Sequence, residues 1–192
     1  MNTATLERRS MDNRMPGPCP VITSRRLVLR PHRLADADSI ARSLADFSVS
    51  SMLARIPQPY DREDARNWLQ VKLSGSSPGW ASAITTGDDV HIGAVSVDLR
   101  GGCWHLGYWL NRFYWGQGFM TEAAGALLDR FVRQMPETEI HSGVFADNAA
   151  SLKIQQKLGF RITNCNELFS LARNSMVPHI ETLLRPQDLR RP

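Results

Sequence analysis

The sequence predicts a single domain of mixed α/β (α+β) class: a mostly antiparallel, mixed sheet with helices on both faces. Three observations carry this. Three strand-like runs, 80–85, 90–99 and 104–110, are separated only by Gly87-Asp88-Asp89 and Arg100-Gly101-Gly102, the length of antiparallel hairpin turns. The order is strand, two helices, three strands, helix, strand, helix, two strands, which is not the strict alternation of a purely parallel fold. Two loops, at 114–118 and 147–148, each follow a strand-like run and open a helix. A glycine-led helix start exposes free backbone N–H groups at the positive end of the helix dipole. Two such starts in one small domain can hold two ends of one elongated phosphate-bearing ligand.

Each element has a local reason. Residues 26–30 alternate in polarity and stop at Pro31, as a first strand does. Residues 36–47 place Ile40, Leu44 and Phe47 at helical spacing, with Asp36 and Asp38 in the first turn. Ile56-Pro57-Gln58-Pro59-Tyr60 reads as a rigid turn. Asp61 follows as an N-cap, with Asp64 three residues on, opening a helix striped by Ala65, Trp68, Leu69 and Leu73. After the three central strands, Met120, Ala123, Ala124, Leu127, Leu128, Phe131 and Val132 mark a long helix that stops near Pro136. Residues 139–145 form a strand. Asn148 caps a helix whose end is Gly159. Strand-like pieces at 168–171 and 177–184 flank an Arg173-Asn174 turn.

Bulk properties exclude several classes. The chain has 192 residues and a formal charge of +4. Residues 1–20 are polar and proline-rich and read as a flexible leader, leaving one domain over 21–192. No apolar stretch approaches the ~20 residues that a membrane helix needs, so no membrane role is expected. Arginines are dispersed without a dense basic tract, so the charge gives no nucleic-acid footprint. Cys19, Cys103 and Cys165 are widely spaced and odd in number, which fits neither a disulfide framework nor a zinc site. No metal is implied, and a reducing, cytoplasmic setting fits best.

Five ordered landmarks then resemble the GCN5-related N-acetyltransferase (GNAT) superfamily, and within it the branch that acetylates ribosomal-protein N-termini. They are Ser24-Arg25-Arg26-Leu27-Val28-Leu29-Arg30-Pro31, the Ile56-Pro57 and Asp64-Ala65 region, Gly107-Tyr108-Trp109-Leu110, Trp115-Gly116-Gln117-Gly118, and residues 148–160. The resemblance runs from Ser24 to the C-terminus. It implies an acyl-CoA N-acyltransferase-like fold whose sheet splays at the centre, and acetyl-CoA as acyl donor. The superfamily's pyrophosphate loop usually carries Gln or Arg where this chain has Trp115, and a small residue where it has Met120. That departure implies phosphate binding by backbone N–H groups.

The site residues follow from the same resemblance. Tyr108, Trp109, Leu110, Trp115, Gly116, Gln117, Gly118, Phe119, Met120, Thr121, Asn148 and Ser151 are the expected contacts for acetyl-CoA. Glycine at 116 and 118 permits close backbone approach and unusual φ. A free N–H of the 108–110 strand would stabilise the tetrahedral oxyanion. Ser151 would protonate or hydrogen-bond the leaving thiolate. For the general base, His105 is the first candidate, with His179 and Glu181 behind it; each also has a purely structural reading. Glu122, Lys153 and Lys157 read as solvated helix-face charges. The expected reaction is direct attack by a primary amine in a ternary complex. The acceptor is either a protein N-terminus or a small molecule. A coenzyme-binding regulatory module without turnover is the alternative. An edge strand in the last hairpin leaves a homodimer open.

Overall fold

Apolar alternation along the strands produces one continuous sheet with a core on each side. The computed structural model describes residues 15–76 and 78–191. Its strands are β1 (Ile22–Thr23), β2 (Leu27–Pro31), β3 (Gly79–Thr86), β4 (His91–Arg100), β5 (Cys103–Leu110), β6 (Ile140–Phe145), β7 (Arg161–Ser170) and β8 (Ser175–Leu184). They lie in the order β1-β2-β3-β4-β5-β6-β8-β7. Only β5 and β6 run parallel; the other neighbours are antiparallel.

The helices are α1 (Ala37–Leu44), α2 (Phe47–Ser50), α3 (Arg62–Leu73), α4 (Phe119–Gln134) and α5 (Ala149–Leu158). The stripe of α4 buries Ala123, Leu127, Leu128 and Phe131 against Leu27, Leu29, Ile84, Val97 and Leu106 of the sheet. The Phe131 ring meets Trp80 and Trp104 edge-on, with centroids 5.4 and 5.1 Å away. Truncating a ring so enclosed costs about 3–5 kcal/mol. A second core on the opposite face joins Ile40, Leu44, Tyr60 and Leu69 to Trp68 and Trp109.

Local chemistry sets the helix ends. Asp61 accepts from the N–H groups of Glu63 and Asp64 at 2.8 and 3.0 Å, and Asp64 returns a bond to the Asp61 N–H. Such a reciprocal cap satisfies donors that the helix itself cannot. The helix expected over 36–47 divides in two. Asp46 takes an extended ψ of 114° and caps α2 by accepting from the Ser48 N–H. The last hairpin also differs from expectation. Its first strand runs over the whole of β7, not just 168–171, and is exposed almost throughout. Polar Asn164, Asn166 and Glu167 hide it from any periodicity argument, and pairing with β8 builds it instead.

The expected leader falls mostly on 1–14, outside the described residues. Its described part packs on β3: the Trp80 indole donates to the Gly17 carbonyl at 3.0 Å, and the Cys19 thiol lies 3.3 Å from Ser82 Oγ.

One discontinuity positions everything that follows. The β5–β6 pairing is confined to Trp104 with Ile140 and His105 with His141. Beyond these pairs the strands part. The backbone of β5 from Leu106 to Leu110 therefore lacks a ladder partner on the β6 side.

Candidate active site

The gap between β5 and β6 is bridged by side chains. Ser142 Oγ donates to the Leu106 carbonyl at 3.1 Å, Gln155 Nε2 to Ser142 Oγ at 2.9 Å, and Thr182 Oγ1 to Gln155 Oε1 at 2.7 Å. All three residues are buried. This polar chain ties β5, β6, β8 and α5 together behind the opening, satisfying groups that a ladder would otherwise satisfy.

The first helix start lies at one lip. Gly116 and Gly118 both take left-handed φ, 74° and 76°. No side chain caps α4. The N–H groups of Gly116, Gln117, Gly118 and Phe119 donate to no backbone carbonyl among the described residues. Open donors at a dipole's positive end are what an anion requires.

Side chains brace this loop from below. The Trp115 indole N–H donates to the Leu110 carbonyl at 2.8 Å, and Gln117 Nε2 to the Phe113 carbonyl at 3.1 Å. Met120 is buried in the core, so only its backbone can face a ligand. Thr121 sits half-buried in the first turn.

Arg26 and Glu122 correct the sequence reading at this loop. Glu122 is not a solvated helix-face charge. It accepts from the Arg26 N–H and Nε and from Ser24 Oγ, each at 2.8 Å. Burial alone would raise its pKa, but Arg26 and Ser24 hold it below the usual carboxylate value. Arg26 also donates to the Gln117 carbonyl at 3.0 Å and lies over the Phe119 ring at 4.3 Å. A cation thus stands beside the 115–118 loop after all, brought from β2's leading edge. No spacing rule links residues that are 91 positions apart.

The second helix start also meets β5, at Tyr108. Asn148 Oδ1 accepts the Ser151 N–H at 3.1 Å and caps α5. Ser151 Oγ lies 2.8 Å from the Tyr108 hydroxyl, which also donates to the Ser151 carbonyl at 3.2 Å. Burial pushes the Tyr108 pKa up, opposed by its bonds to Ser151 and Gln155. The phenol is therefore a protonated donor at neutral pH. Tyr108 was expected to act only through its backbone; its hydroxyl is an addition by the structure. Lys153 and Lys157 are exposed, as expected.

Leu110 is buried in the main core, and Trp109 packs into the second core on the other face. Leu110 can therefore meet a ligand only through its backbone, whereas Trp109 stays partly exposed. His105 stands on the same face as Trp109, beside His141, with ring centroids 5.4 Å apart. Burial first, then Arg100, His141 and Arg55, lower its pKa. A neutral imidazole is thus held at the vertex of the splay, across β5 from Tyr108 and Ser151. His179 lies further along β8, 3.1 Å from Asn166 Oδ1, and Glu181 accepts from Asn166 at 2.7 Å.

The turn of the last hairpin locks the site's two halves. Arg173 gives Nη1 to Asp147 Oδ2 at 2.6 Å, Nη2 to Asp147 Oδ1 at 3.2 Å and Nε to the Ser51 carbonyl at 2.7 Å. Asp147 directly precedes the α5 cap, and Ser51 follows α2. One guanidinium therefore ties the loop that opens α5 to the segment after α2.

Elsewhere, His32, Asp36 and His91 bring their polar atoms within 4.8 Å of one another. Asp36 is already engaged, by Arg30 at 2.8 and 2.9 Å and by the Arg33 N–H at 2.8 Å. The group is an ion pair beside two imidazoles.

This architecture is shared with known proteins. The S5-alanine ribosomal-protein acetyltransferase from Vibrio fischeri superposes with a TM-score of 0.74 at 18% identity, over 89% of this chain and 99% of that one. RimL, a ribosomal L7/L12 alpha-N-protein acetyltransferase in complex with coenzyme A, gives 0.74 at 18% identity over 88% and 100%. These likenesses establish the fold. In sequence, the uncharacterized N-acetyltransferase p20 of Bacillus licheniformis is 29% identical over 142 residues, 71% of this chain and 79% of that protein. Residues 26–161 match the acetyltransferase (GNAT) domain model, and the chain belongs to that family of N-acetyltransferases.

Proposed function

We propose that the chain transfers the acetyl group of acetyl-CoA to a primary amine, by direct attack in a ternary complex, and that a protein N-terminal α-amine is the acceptor. The observation that carries the donor half is the pair of helix starts that both bond to the unpaired end of β5. One has open N–H groups around two left-handed glycines; the other presents a hydroxyl pair. The acceptor half is supported by the likeness to enzymes named for ribosomal-protein N-termini, and a small-molecule amine is the alternative.

In this reading the loop at 115–120, braced by Arg26, holds the pyrophosphate through backbone N–H groups. The unpaired backbone of Tyr108, Trp109 and Leu110 faces the thioester, where an N–H stabilises charge on the carbonyl oxygen. The nucleophile arrives from the opposite face, past His105. An α-amine has a pKa of about 7.7–8.0, so little assistance is needed, and neutral His105 can take its proton. Ser151 Oγ, backed by Tyr108, gives a proton to the departing sulfur. Proximity supplies most of the remaining acceleration. In this reading the reaction belongs to a reducing, cytoplasmic setting, which three free cysteines support. No helix of the described residues is long and apolar enough to cross a membrane.

The test is calorimetric titration with acetyl-CoA of the wild type and of Gly118→Val. A side chain at Gly118 meets no backbone, its β-carbon lying 3.6 Å from Arg26 Nη2. Its left-handed φ is the obstacle. Holding that φ costs a residue with a β-carbon about 1–2 kcal/mol, and leaving it re-aims the N–H groups. Micromolar binding weakened at least tenfold by the substitution supports the reading. A wild type that neither binds acetyl-CoA nor is thermally stabilised by it refutes the reading.

A further inference from the structure

The face of the sheet across which the acceptor would arrive carries an uneven charge. Side chains alternate along β5, so His105, Gly107 and Trp109 stand on the face away from Tyr108. Their partners on β4 are Asp98, Ser96 and Ala94. Asp98 is buried, and both its oxygens are occupied. Lys72 Nζ lies 2.9 Å from Oδ1, while Ser96 Oγ and Arg100 Nη2 lie 3.0 and 3.1 Å from Oδ2. Arg100 extends over Gly107, where a β-carbon would stand 3.6 Å from its Nη2. The guanidinium thus lies against the backbone of the open strand, at ordinary van der Waals distance from where a β-carbon would stand.

Arg55, from the segment after α2, adds a third cation. Its pKa is depressed, first by desolvation and then by Arg100, with Asp98 only partly opposing. Among the described residues it has no carboxylate partner; the nearby Asp98 is taken by Lys72 and Arg100. Lys72 and Arg100 therefore share one carboxylate opposite His105 on β4, and the exposed Arg55 adds a further positive charge within electrostatic reach of Arg100, Asp98 and His105. On the other side of that vertex Glu181 is already bonded to Asn164 and Asn166. Excess charge of one sign beside an open strand attracts a group of opposite charge and repels acceptors of its own sign.

We propose that Arg55, with Arg100 behind it, selects acceptors carrying a carboxylate within about two residues of the reactive amine, as an acidic peptide N-terminus does. The distance follows from geometry: Gly107 is two strand positions from His105, about 7 Å at the usual rise. Polyamines and other polycationic acceptors are excluded by the same charges. The inference rests on the reading of the chain as an amine acetyltransferase and specifies its acceptor.

The experiment uses the full chain and C-terminally amidated peptides that start Ser-Glu, Ser-Gln and Ser-Lys but are otherwise identical, with free glutamate as a further arm. Thiol release is followed for the wild type, Arg55→Gln and Arg55→Glu, at about 0.02 M and 0.5 M salt. The wild type should prefer the acidic peptide over the basic one by about tenfold or more in kcat/KM at low salt, with the gap shrinking at high salt. Arg55→Glu should abolish or invert that order while leaving acetyl-CoA affinity unchanged. Preference for free glutamate over every peptide would replace the peptide with an amino acid as the source of the carboxylate, overturning the peptide half. An order of rates indifferent to peptide charge, or equal losses on all peptides in Arg55→Glu, overturns the proposal. Peptide binding to the coenzyme-loaded protein is measured alongside. Charge-ordered binding without turnover sustains the selectivity and sinks the transferase reading, whereas turnover without charge order does the reverse.

Discussion

His91 should make the protein acid-labile, and replacing it should remove that lability. Both ring nitrogens of His91 and of its neighbour His32 are buried without hydrogen-bond partners. The two rings lie 6.1 Å apart between Trp68 and Trp109. Burial pushes the His91 pKa down to about 4 and lowers that of His32. Unfolded histidine titrates near 6.5, so between about pH 6.5 and 4 the unfolded chain binds more protons than the folded one. Stability therefore falls as pH falls through that window and is fully retained above it. For His91 alone the loss is about 2 kcal/mol by pH 5 and about 3 kcal/mol by pH 4, from roughly 1.36 kcal/mol per pH unit. His32 adds a loss of the same sign. The assay is urea unfolding from pH 4.5 to 7.5, comparing the wild type with His91→Leu. The variant removes two orphaned polar atoms, so it should be near neutral at pH 7.5 and show a visibly shallower decline towards pH 5. Identical pH slopes for the two proteins would refute the assignment of the lability to this ring.

Two further outcomes follow from the site. Ser151→Ala should lower kcat by about a hundredfold, the scale of general-acid catalysis, with acetyl-CoA affinity nearly unchanged. Tyr108→Phe should show a smaller loss, and the double variant should lose little beyond Ser151→Ala if the two hydroxyls act as one relay; single-turnover thiol release measures this. Arg173→Ala should cost about 1 kcal/mol in unfolding free energy, because Asp147 is half exposed and its pairing is partly screened. It should also raise KM for the acceptor more than it weakens acetyl-CoA binding, with partial recovery in Arg173→Lys.

Local signals in the chain were sufficient for much of this. The hairpin turns at Gly87-Asp88-Asp89 and Arg100-Gly101-Gly102, the Asp61 cap, the α4 stripe and the Gly159 stop are decided within a few residues, so spacing reveals them. Gly116 and Gly118 belong to the same class, since a left-handed φ selects glycine wherever the chain folds. The exposed length of β7 was hidden because an edge strand with no buried face has no period to read.

What the sequence by itself determined, then, is most of the elements, the family and the left-handed glycine backbone of the 115–118 loop. Each depends on interactions between residues close in the chain, or on an ordered set of such motifs. Tertiary structure alone decided the pairing of Tyr108 with Ser151, the Arg26–Glu122 brace, the Arg173 clamp and the unshared charge at Arg55. The first three are contacts between groups tens of residues apart, and the last is a charge that no carboxylate among the described residues pairs with. The splay created by the short β5–β6 pairing determines which of them meet. Their energies depend on burial and on distances of about 3 Å, quantities that composition and periodicity do not contain.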